Sequence, residues 1–586
     1  MISAGLRARV TAWTADDPDE SDRAELAALL AASDEPGPAG AAAQREVADR
    51  FAGRLEFGTA GLRGAIAAGP NRMNRAVVRA TTAALAAWLL ARDRSSAARG
   101  VVVGCDARHR SEQFATEVAC VLAGAGIAVH LLPAREPTPL LAFAVRRLGA
   151  AAGVMVTASH NPPQDNGYKL YLADGAQIIP PADAEITARI AALGPLLDIP
   201  VTGPEHPLIT HLGDEVAQAY LDSVTAPYRA SATAPQQGSV TALAPLAGDS
   251  GLCVVYTSLH GVAASLMLRA AAAAGFGTLQ VVAAQAEPDA DFPTVAFPNP
   301  EEPGALDLAL AEASKAGADL VLANDPDGDR LAVAVPDPAA SGGWRRLTGD
   351  QVGALLGAWV LECSASDPDP GSRLVATTIV SSTLLSKVAQ AAGADFAETL
   401  TGFKWIVRAR GQRSDSRFVF GYEEALGYDV GDVVRDKDGI GAALAVLSLV
   451  STARARGQSL PDRWDALEVT HGVHLTSALS LATSSPAQIM ASLRADPPAT
   501  LAGEPVTSVN DLDAPDATTG LPRADVLVYR LPGGRAVVRP SGTEPKLKAY
   551  LEVVEPLGGR SLADARAAAA ARLGPLRTAV ETLVTR

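Results

Sequence analysis

Apolar and polar positions alternate along this chain with a period that changes several times. Residues 101–103, all valine, form a short apolar run that predicts a buried strand. Residues 111–124 then carry a helical pattern, with Ser111 placed to cap it. A second strand is expected at 127–132, a helix at 140–148 and a third strand at 153–156. This β-α-β-α-β order predicts a mostly parallel sheet covered on both faces. The pattern returns twice: strands at 252–256, 279–282 and 320–323, then strands at 374–378 and 418–420 with helices at 383–392 and 439–455. From about Val469 the style changes. Strands at 526–530, 535–539 and 547–554 read as a meander, closed by an alanine-rich helix at 562–572.

The expected fold class is α/β: three similar α/β domains with mixed, mostly parallel sheets plus a C-terminal α+β domain around a central cleft. The boundaries fall at 1–225, 226–345, 346–466 and 467–586. Residues 35–43, rich in Pro, Gly and Ala, predict a loop after an N-terminal helical segment, and 230–248 predicts a linker or surface insertion.

Composition narrows the class. The 586 residues carry a formal net charge of −15 and are 48% hydrophobic. Length alone suits about three to five domains. The acidic balance argues against a general nucleic-acid or membrane binder, since both need a basic face. The scarcity of lysine beside abundant arginine and alanine reads as coding bias. Cys105, Cys120, Cys253 and Cys363 form no Cys-x-x-Cys pair and predict reduced thiols. The start lacks an apolar signal core, and the longest apolar stretch, 83–91, is too short to span a bilayer. A cytoplasmic protein, monomeric or dimeric, is the expectation.

Each α/β unit places an unusual polar loop directly after an apolar strand, where open α/β sheets bind ligands. Asp325-Pro-Asp-Gly-Asp-Arg330 is the most specific. Three carboxylates so close repel one another unless a cation sits among them, and alternating Asp residues suit a hard divalent ion, most plausibly Mg²⁺. The pattern argues against an EF-hand, whose sixth and twelfth positions would be Arg330 and Pro336. Residues 157–163, Thr-Ala-Ser-His-Asn-Pro-Pro, offer Ser159 on a turn held by prolines; a serine hydrolase would need Gly-x-Ser-x-Gly, which is absent here. Downstream, Lys169 suits a phosphate contact or a proton carrier. Glu423 and Glu424 in the 421–427 loop suit hydrogen bonding to sugar hydroxyls or acid/base work. Arg539, Ser541, Gly542, Thr543 and Lys546 combine the guanidinium, hydroxyls, backbone donors and ammonium that a phosphate dianion needs. The glycines of 57–64 let backbone approach a ligand, with Arg63 facing an anion. Walker A and dinucleotide fingerprints are missing, so ATP or NAD use has no support.

Taken in order, 157–163, 325–330, 421–427 and 539–543 resemble the α-D-phosphohexomutase superfamily, in its phosphoglucomutase/phosphomannomutase branch, over about 51–554. The resemblance implies a phosphosugar mutase that moves a phosphoryl group between C1 and C6 of a hexose through phosphoserine and a bisphosphate, with Mg²⁺ and glucose 1,6-bisphosphate as cofactors. It implies Ser159 as nucleophile and, with Asp325, Asp327 and Asp329, as a metal ligand. Arg63, Lys169, Arg330 and Lys404 fall at positions around the transferring phosphoryl. Glu423 would read sugar hydroxyls, and Arg539, Ser541, Gly542 and Thr543 would hold the non-reacting phosphate. Residues 106–108, 137–139 and 436–439 fit as scaffold. Hinge motion near 465–470 is expected. One departure stands out: Ala425 occupies the place of a serine found in many family members, which keeps phosphopentomutase open as an alternative.

Overall fold

The protein is described by a computed structural model that covers residues 2–58, 61–228, 243, 251–366, 372–412, 416–514, 520–541 and 546–585. The segment read as a linker, 230–248, lies outside the described residues apart from Leu243.

The first sheet contains β1 (Leu62–Ala65), β2 (Val101–Cys105), β3 (Val129–Leu131), β4 (Ala152–Val156), β5 (Asp165–Leu172) and β6 (Ile209–His211), in the spatial order β1-β5-β4-β2-β3-β6. The β4-β2-β3-β6 portion is parallel, and β5 and β1 add antiparallel at one edge. Every residue of β2 and β4 is buried, as the unbroken apolar runs require of strands covered on both faces. The second sheet holds β7 (Val254–Thr257), β8 (Gln280–Val281), β9 (Leu320–Asn324), β10 (Leu331–Pro336) and β11 (Trp344–Arg346), ordered β11-β10-β9-β7-β8. The third holds β12 (Arg373–Thr378), β13 (Asp395–Thr399), β14 (Arg417–Glu423) and β15 (Gly427–Val430), ordered β13-β12-β14-β15. The fourth unit begins with β16 (Val473–Ala482). The ribbon β17 (Thr500–Leu501) and β18 (Glu504–Pro505) follows, then β19 (Ser508–Asp511), β20 (Leu527–Leu531), β21 (Gly534–Pro540) and β22 (Lys546–Glu555), giving an antiparallel sheet β16-β22-β21-β20-β19.

One continuous apolar core runs through the first three units, from Leu141 and Tyr220 through Tyr256 and Leu322 to Phe420 and Leu444. The fourth unit has its own core, built on Leu527, Val538 and Leu551. A small cluster of Ile379, Val380 and Leu400 against Val528 and Val537 seals it to the third.

Several local expectations are corrected. Residues 35–43 are not one loop: a helix, Pro38–Arg50, starts inside them, because Pro38 at its first turn needs no N–H partner and the alanines after it favour helix. Ser111 does not cap its helix. Its hydroxyl donates to Asp106 at 2.6 Å, and Arg110, at φ 62°, takes the cap position. The last helix runs on to Val584, since Leu576, Val580 and Val584 continue its buried face past Pro575. The 421–427 segment is a hairpin, with Glu423 and Gly427 paired across it. Residues 465–470, near which hinge motion is expected, lie inside the helix Leu460–His471, which is followed by Gly472 at φ 90°.

Candidate active site

The acidic loop leaves β9 as a closed clasp. Asn324 donates to the Arg330 carbonyl at 2.7 Å and accepts from the Tyr256 hydroxyl at 2.8 Å. The Arg330 N–H donates to Asp325 Oδ1 at 2.9 Å. Neighbouring backbone presses on this loop closely. A Cβ at Gly261 would lie 2.4 Å from Pro326 Cα, and Gly328 sits at φ +73°, so both positions require glycine.

The three carboxylates are buried and offer oxygens within 4.8 Å of one another. Asp327 Oδ2 accepts from Lys169 Nζ and from the Thr138 hydroxyl, each at 2.5 Å. Asp329 Oδ2 accepts from Lys169 at 2.8 Å and lies 3.3 Å from Lys437 Nζ. Their other oxygens, Asp327 Oδ1 and Asp329 Oδ1, are buried with no hydrogen-bond partner. Buried unpaired carboxylate oxygens are costly. Two of them beside a third carboxylate form the oxygen set that a hard divalent cation takes, so the residues present fit a metal. Burial, then Asp327 and Asp329, push the Asp325 carboxyl well above its ordinary range. For Asp329 burial acts the same way but is outweighed by Lys169, Lys437 and Arg330, which hold it far below.

Ser159 follows β4 on a loop fixed from beneath. Its N–H donates to Thr157 Oγ1 at 2.8 Å, and Thr157 donates to Asp106 at 2.6 Å. Arg108, buried at 4% exposure, donates to the carbonyls of Ser159 (2.7 Å), Pro162 (2.7 Å), Asp165 (3.2 Å) and Asn161. Phe292 of the second unit stacks on its guanidinium at 5.0 Å. These contacts hold Ser159 at φ 54°, a conformation costly for a non-glycine residue. The hydroxyl donates to Asp325 Oδ2 at 2.7 Å and lies 3.2 Å from His160 Nδ1. Burial, with Arg330 and Arg63 nearby, keeps His160 neutral by pushing its pKa well below the usual value. Adjacency along the chain does not by itself bring His160 to its neighbour's hydroxyl; the fold does.

Arg63 lies on β1 and donates to Asn161 Oδ1 at 3.2 Å, while its Nε is buried without a partner. Arg330 pairs with Glu301 at 3.0 Å, and its Nε is likewise unpartnered. Arg330 also bridges to Gly427, which docks the 423–427 hairpin against the acidic loop. Glu423 is buried in that hairpin; burial raises its pKa, and Lys437 and then Arg330 oppose the rise. Glu424 points elsewhere. The hydroxyls of Thr378 and Ser381 donate to it at 3.2 and 3.1 Å, and burial together with Glu423 and Asp350 pushes its pKa up to about 7. Lys404 is buried and its pKa lowered, first by burial; its charged neighbours are Asp183 and Arg408, not the Asp cluster.

In the fourth unit, Arg539, next to the end of β21, has a buried Nε with no hydrogen-bond partner, and burial first, then the charge of Glu424, pushes the Tyr550 hydroxyl up to about 12. Ser541 donates its N–H to the Lys546 carbonyl at 2.8 Å, closing the mouth of the hairpin. Gly542 and Thr543 lie outside the described residues.

Two features escape sequence reasoning. Lys437, read as scaffold, reaches the acidic loop. Arg535 and Glu552, paired directly across β21 and β22, form a latch to the third unit. Arg535 donates to Glu552 (3.0 Å), Glu398 (3.1 Å) and the Ser381 carbonyl. Glu552 accepts from the Ser382 hydroxyl (2.8 Å) and Thr383 N–H (2.7 Å), with His474 Nδ1 at 3.2 Å. Only the register reveals the first pair, and nothing local marks the second partner set.

Four domain families match in order: phosphoglucomutase/phosphomannomutase alpha/beta/alpha domain I at 54–195, domain II at 231–341, domain III at 348–468, and the C-terminal domain at 493–569. The chain is 42% identical to a Haemophilus influenzae protein named "Probable phosphomannomutase", over 82% of this chain and 93% of that one. It is 35% identical to the phosphopentomutase of Homo sapiens, over 88% and 87%. The crystal structure of a phosphoglucomutase/phosphomannomutase family protein from Burkholderia thailandensis shares the fold, with a TM-score of 0.64 at 21% identity over 90% of this chain and 97% of that one. With matched domains spanning most of its length and a buried serine set on an acidic triad, this chain belongs to the phosphoglucomutase/phosphomannomutase family.

Proposed function

We propose that the protein is a phosphosugar mutase that moves a phosphoryl group between C1 and C6 of a hexose phosphate, through phosphoserine 159 and a sugar bisphosphate. The observation that carries this is the Ser159 hydroxyl 2.7 Å from Asp325, at the edge of a carboxylate triad with two unpaired oxygens. Asp325, Asp327 and Asp329, with an oxygen of phosphoserine 159, would hold one Mg²⁺, which when bound withdraws charge from the phosphoryl group.

The chain's own groups do the positioning on which phosphoryl transfer depends. Phosphoserine 159 gives its phosphoryl to the free sugar hydroxyl: the Oγ–P bond breaks as the sugar O–P bond forms. Glucose 1,6-bisphosphate, the product of that half-reaction for glucose, turns over in the cleft and returns its other phosphate to Ser159. Arg63 and Arg330, each with an unpaired buried Nε, meet the transferring group. Lys169 is held as a cation, since Asp327 and Asp329 outweigh its burial, so it acts by charge. Lys404, whose charged neighbours are Asp183 and Arg408, would contact a phosphate or assist proton transfer once substrate is bound. Glu423 reads sugar hydroxyls with Glu424 behind it, and Arg539, Ser541, Gly542, Thr543 and Lys546 take the distal phosphate. The units at 1–225, 226–345, 346–466 and 467–586 each bring one loop. No described helix is long and apolar enough to cross a membrane; we place the enzyme in the cytoplasm.

The test is coupled conversion of glucose 1-phosphate to glucose 6-phosphate by protein with Mg²⁺ and a trace of glucose 1,6-bisphosphate, beside Ser159→Ala. Turnover that collapses in the variant is expected, and equal rates would sink the reading. Ala425, which removes one hydroxyl from the sugar loop, supports a second reading as a phosphopentomutase. Faster turnover of ribose 1-phosphate than of glucose 1-phosphate or mannose 1-phosphate would establish it.

A further inference from the structure

Arg110 stands at a turn that the reaction itself does not explain. Through it the loop 106–109 enters the helix Ser111–Gly124, and its φ is 62° with ψ 3°. That left-handed conformation is costly for any residue with a Cβ. The side chain is tied off at all three nitrogens. Nη1 donates to Asp22 Oδ1 at 2.7 Å, Nη2 to Asp22 Oδ2 at 3.1 Å and Asp19 Oδ2 at 3.0 Å, and Nε to Gln113 Oε1 at 2.7 Å. The Phe114 ring lies 5.1 Å from the guanidinium. Asp19 and Asp22 belong to the N-terminal helix Glu20–Ala32, one as its cap and the other in its first turn, where a helix favours carboxylates. Both are buried. That helix precedes the first matched domain, which starts at residue 54.

The loop that Arg110 ends is the floor beneath the nucleophile. Asp106 accepts from Thr157 and Ser111, and Arg108 donates to four carbonyls around Ser159. The His109 carbonyl accepts from Asn166 Nδ2 at 2.9 Å, and His109 Nε2 lies 2.7 Å from Asp291 of the second unit. A relaxation of Arg110 to negative φ would turn the loop to a new heading and draw Arg108, two residues away, off its carbonyls. The clamp resists this, because opening it leaves Asp19 and Asp22 as buried charges without their partner. We propose that Arg110, clamped by Asp19 and Asp22, is a positioning residue: the N-terminal helix holds the left-handed turn that sets Arg108 and, through it, Ser159. The kinetic consequence rests on the mutase reading, and the structural one does not. Since Arg110 acts through Arg108 and not on the substrate, its loss moves kcat and leaves KM alone.

The experiment reads turnover and hydrogen exchange together, in the full chain. Asp19→Asn with Asp22→Ala keeps a cap on the N-terminal helix but removes both charges. Its kcat is expected to fall roughly tenfold, with the KM for sugar phosphate unchanged within about twofold. Amides in 106–111 and 157–163 should exchange faster than in the wild type. Arg110→Ala should fall as far, whereas Arg110→Gly, which meets no Cβ penalty at positive φ, should stay within about threefold of wild type. Added to Arg110→Gly, the two aspartate changes should alter kcat by less than about twofold, a suppression that lost stability alone would not produce. The arginine variants decide by themselves if the aspartate variant does not fold. Equal losses in Arg110→Ala and Arg110→Gly overturn the proposal, as does a folded aspartate variant whose kcat and exchange match the wild type. Wild-type protein that turns over none of glucose 1-phosphate, mannose 1-phosphate and ribose 1-phosphate sinks the mutase reading instead, and exchange at 157–163 in the same variants still decides the clamp.

Discussion

The hydroxyl of Ser159 donates to Asp325 at 2.7 Å across a separation of 166 residues, joining the loop after β4 to the loop after β9. A phosphoryl group on that oxygen would bring about −1.5 to −2 charges against three buried carboxylates. Only a cation among them makes this tolerable. Asp325→Asn is therefore expected to weaken Mn²⁺ by tenfold or more in a calorimetric titration. Transfer of phosphate from labelled glucose 1,6-bisphosphate to Ser159 should be lost with it. Unchanged Mn²⁺ affinity would remove Asp325 from the metal set.

Arg108 carries no chemistry of its own, yet it donates to the carbonyls of Ser159, Asn161, Pro162 and Asp165 and so holds the nucleophile's loop. A displacement of about 1 Å at a reacting atom can cost roughly a hundredfold in rate. Arg108→Lys keeps the charge but not the planar fork of donors. Its kcat should fall by about that factor while the KM for sugar phosphate changes little, a split that steady-state kinetics resolves.

Glu424 supplies a pH-dependent test. Its pKa rises from the usual 4.5 to about 7 in the folded protein, so folding favours the neutral carboxyl. The stability this confers is complete below about pH 4.5 and is lost as pH rises through 7. Glu424→Gln keeps the hydroxyl contacts without the buried charge. At pH 8 it should be the more stable protein, by about 1–3 kcal/mol, with the advantage fading toward pH 4.5. Melting curves at pH 5, 6.5 and 8 read this directly.

Glu552 behaves in the opposite sense. Burial raises its pKa, but His474, Arg535 and the Thr383 N–H overcome burial and hold it at about 2. Its contribution to stability is present above pH 4.5 and is lost as pH falls through 2. Arg535→Ala leaves this carboxylate buried without its guanidinium, which should cost about 3–5 kcal/mol. Limited proteolysis should then release the fourth unit before the others unfold.

The chemistry was legible wherever a site is contiguous in sequence. Asp325, Asp327 and Asp329 are two residues apart, and Ser159 stands between turn formers, so a strand end followed by polar residues was enough to single out groups that the fold brings together. Groups that depend on how units dock were not legible. Lys437 reads as scaffold until the hairpin is laid over it, and adjacency alone does not bring His160 Nδ1 to within 3.2 Å of the Ser159 hydroxyl. The misplaced cap has a tertiary cause: Ser111 had a stronger partner in Asp106 than its own helix.

β21 carries two arginines four residues apart: Arg535 pairs with Glu398 of the third unit, and Arg539 keeps a buried Nε with no hydrogen-bond partner. If Arg539 takes the distal phosphate as proposed, the Arg535 contacts tie that anchor to the unit that carries Glu423. With that latch closed, interchanging the two ends of a sugar bisphosphate would be work done by the ligand, turning over inside a frame of set span. A sugar whose phosphates match that span in both orientations fits twice, and one that matches in a single orientation stalls halfway as the bisphosphate. The distance between a latch and an anchor on one strand thus acts as a ruler for substrate length.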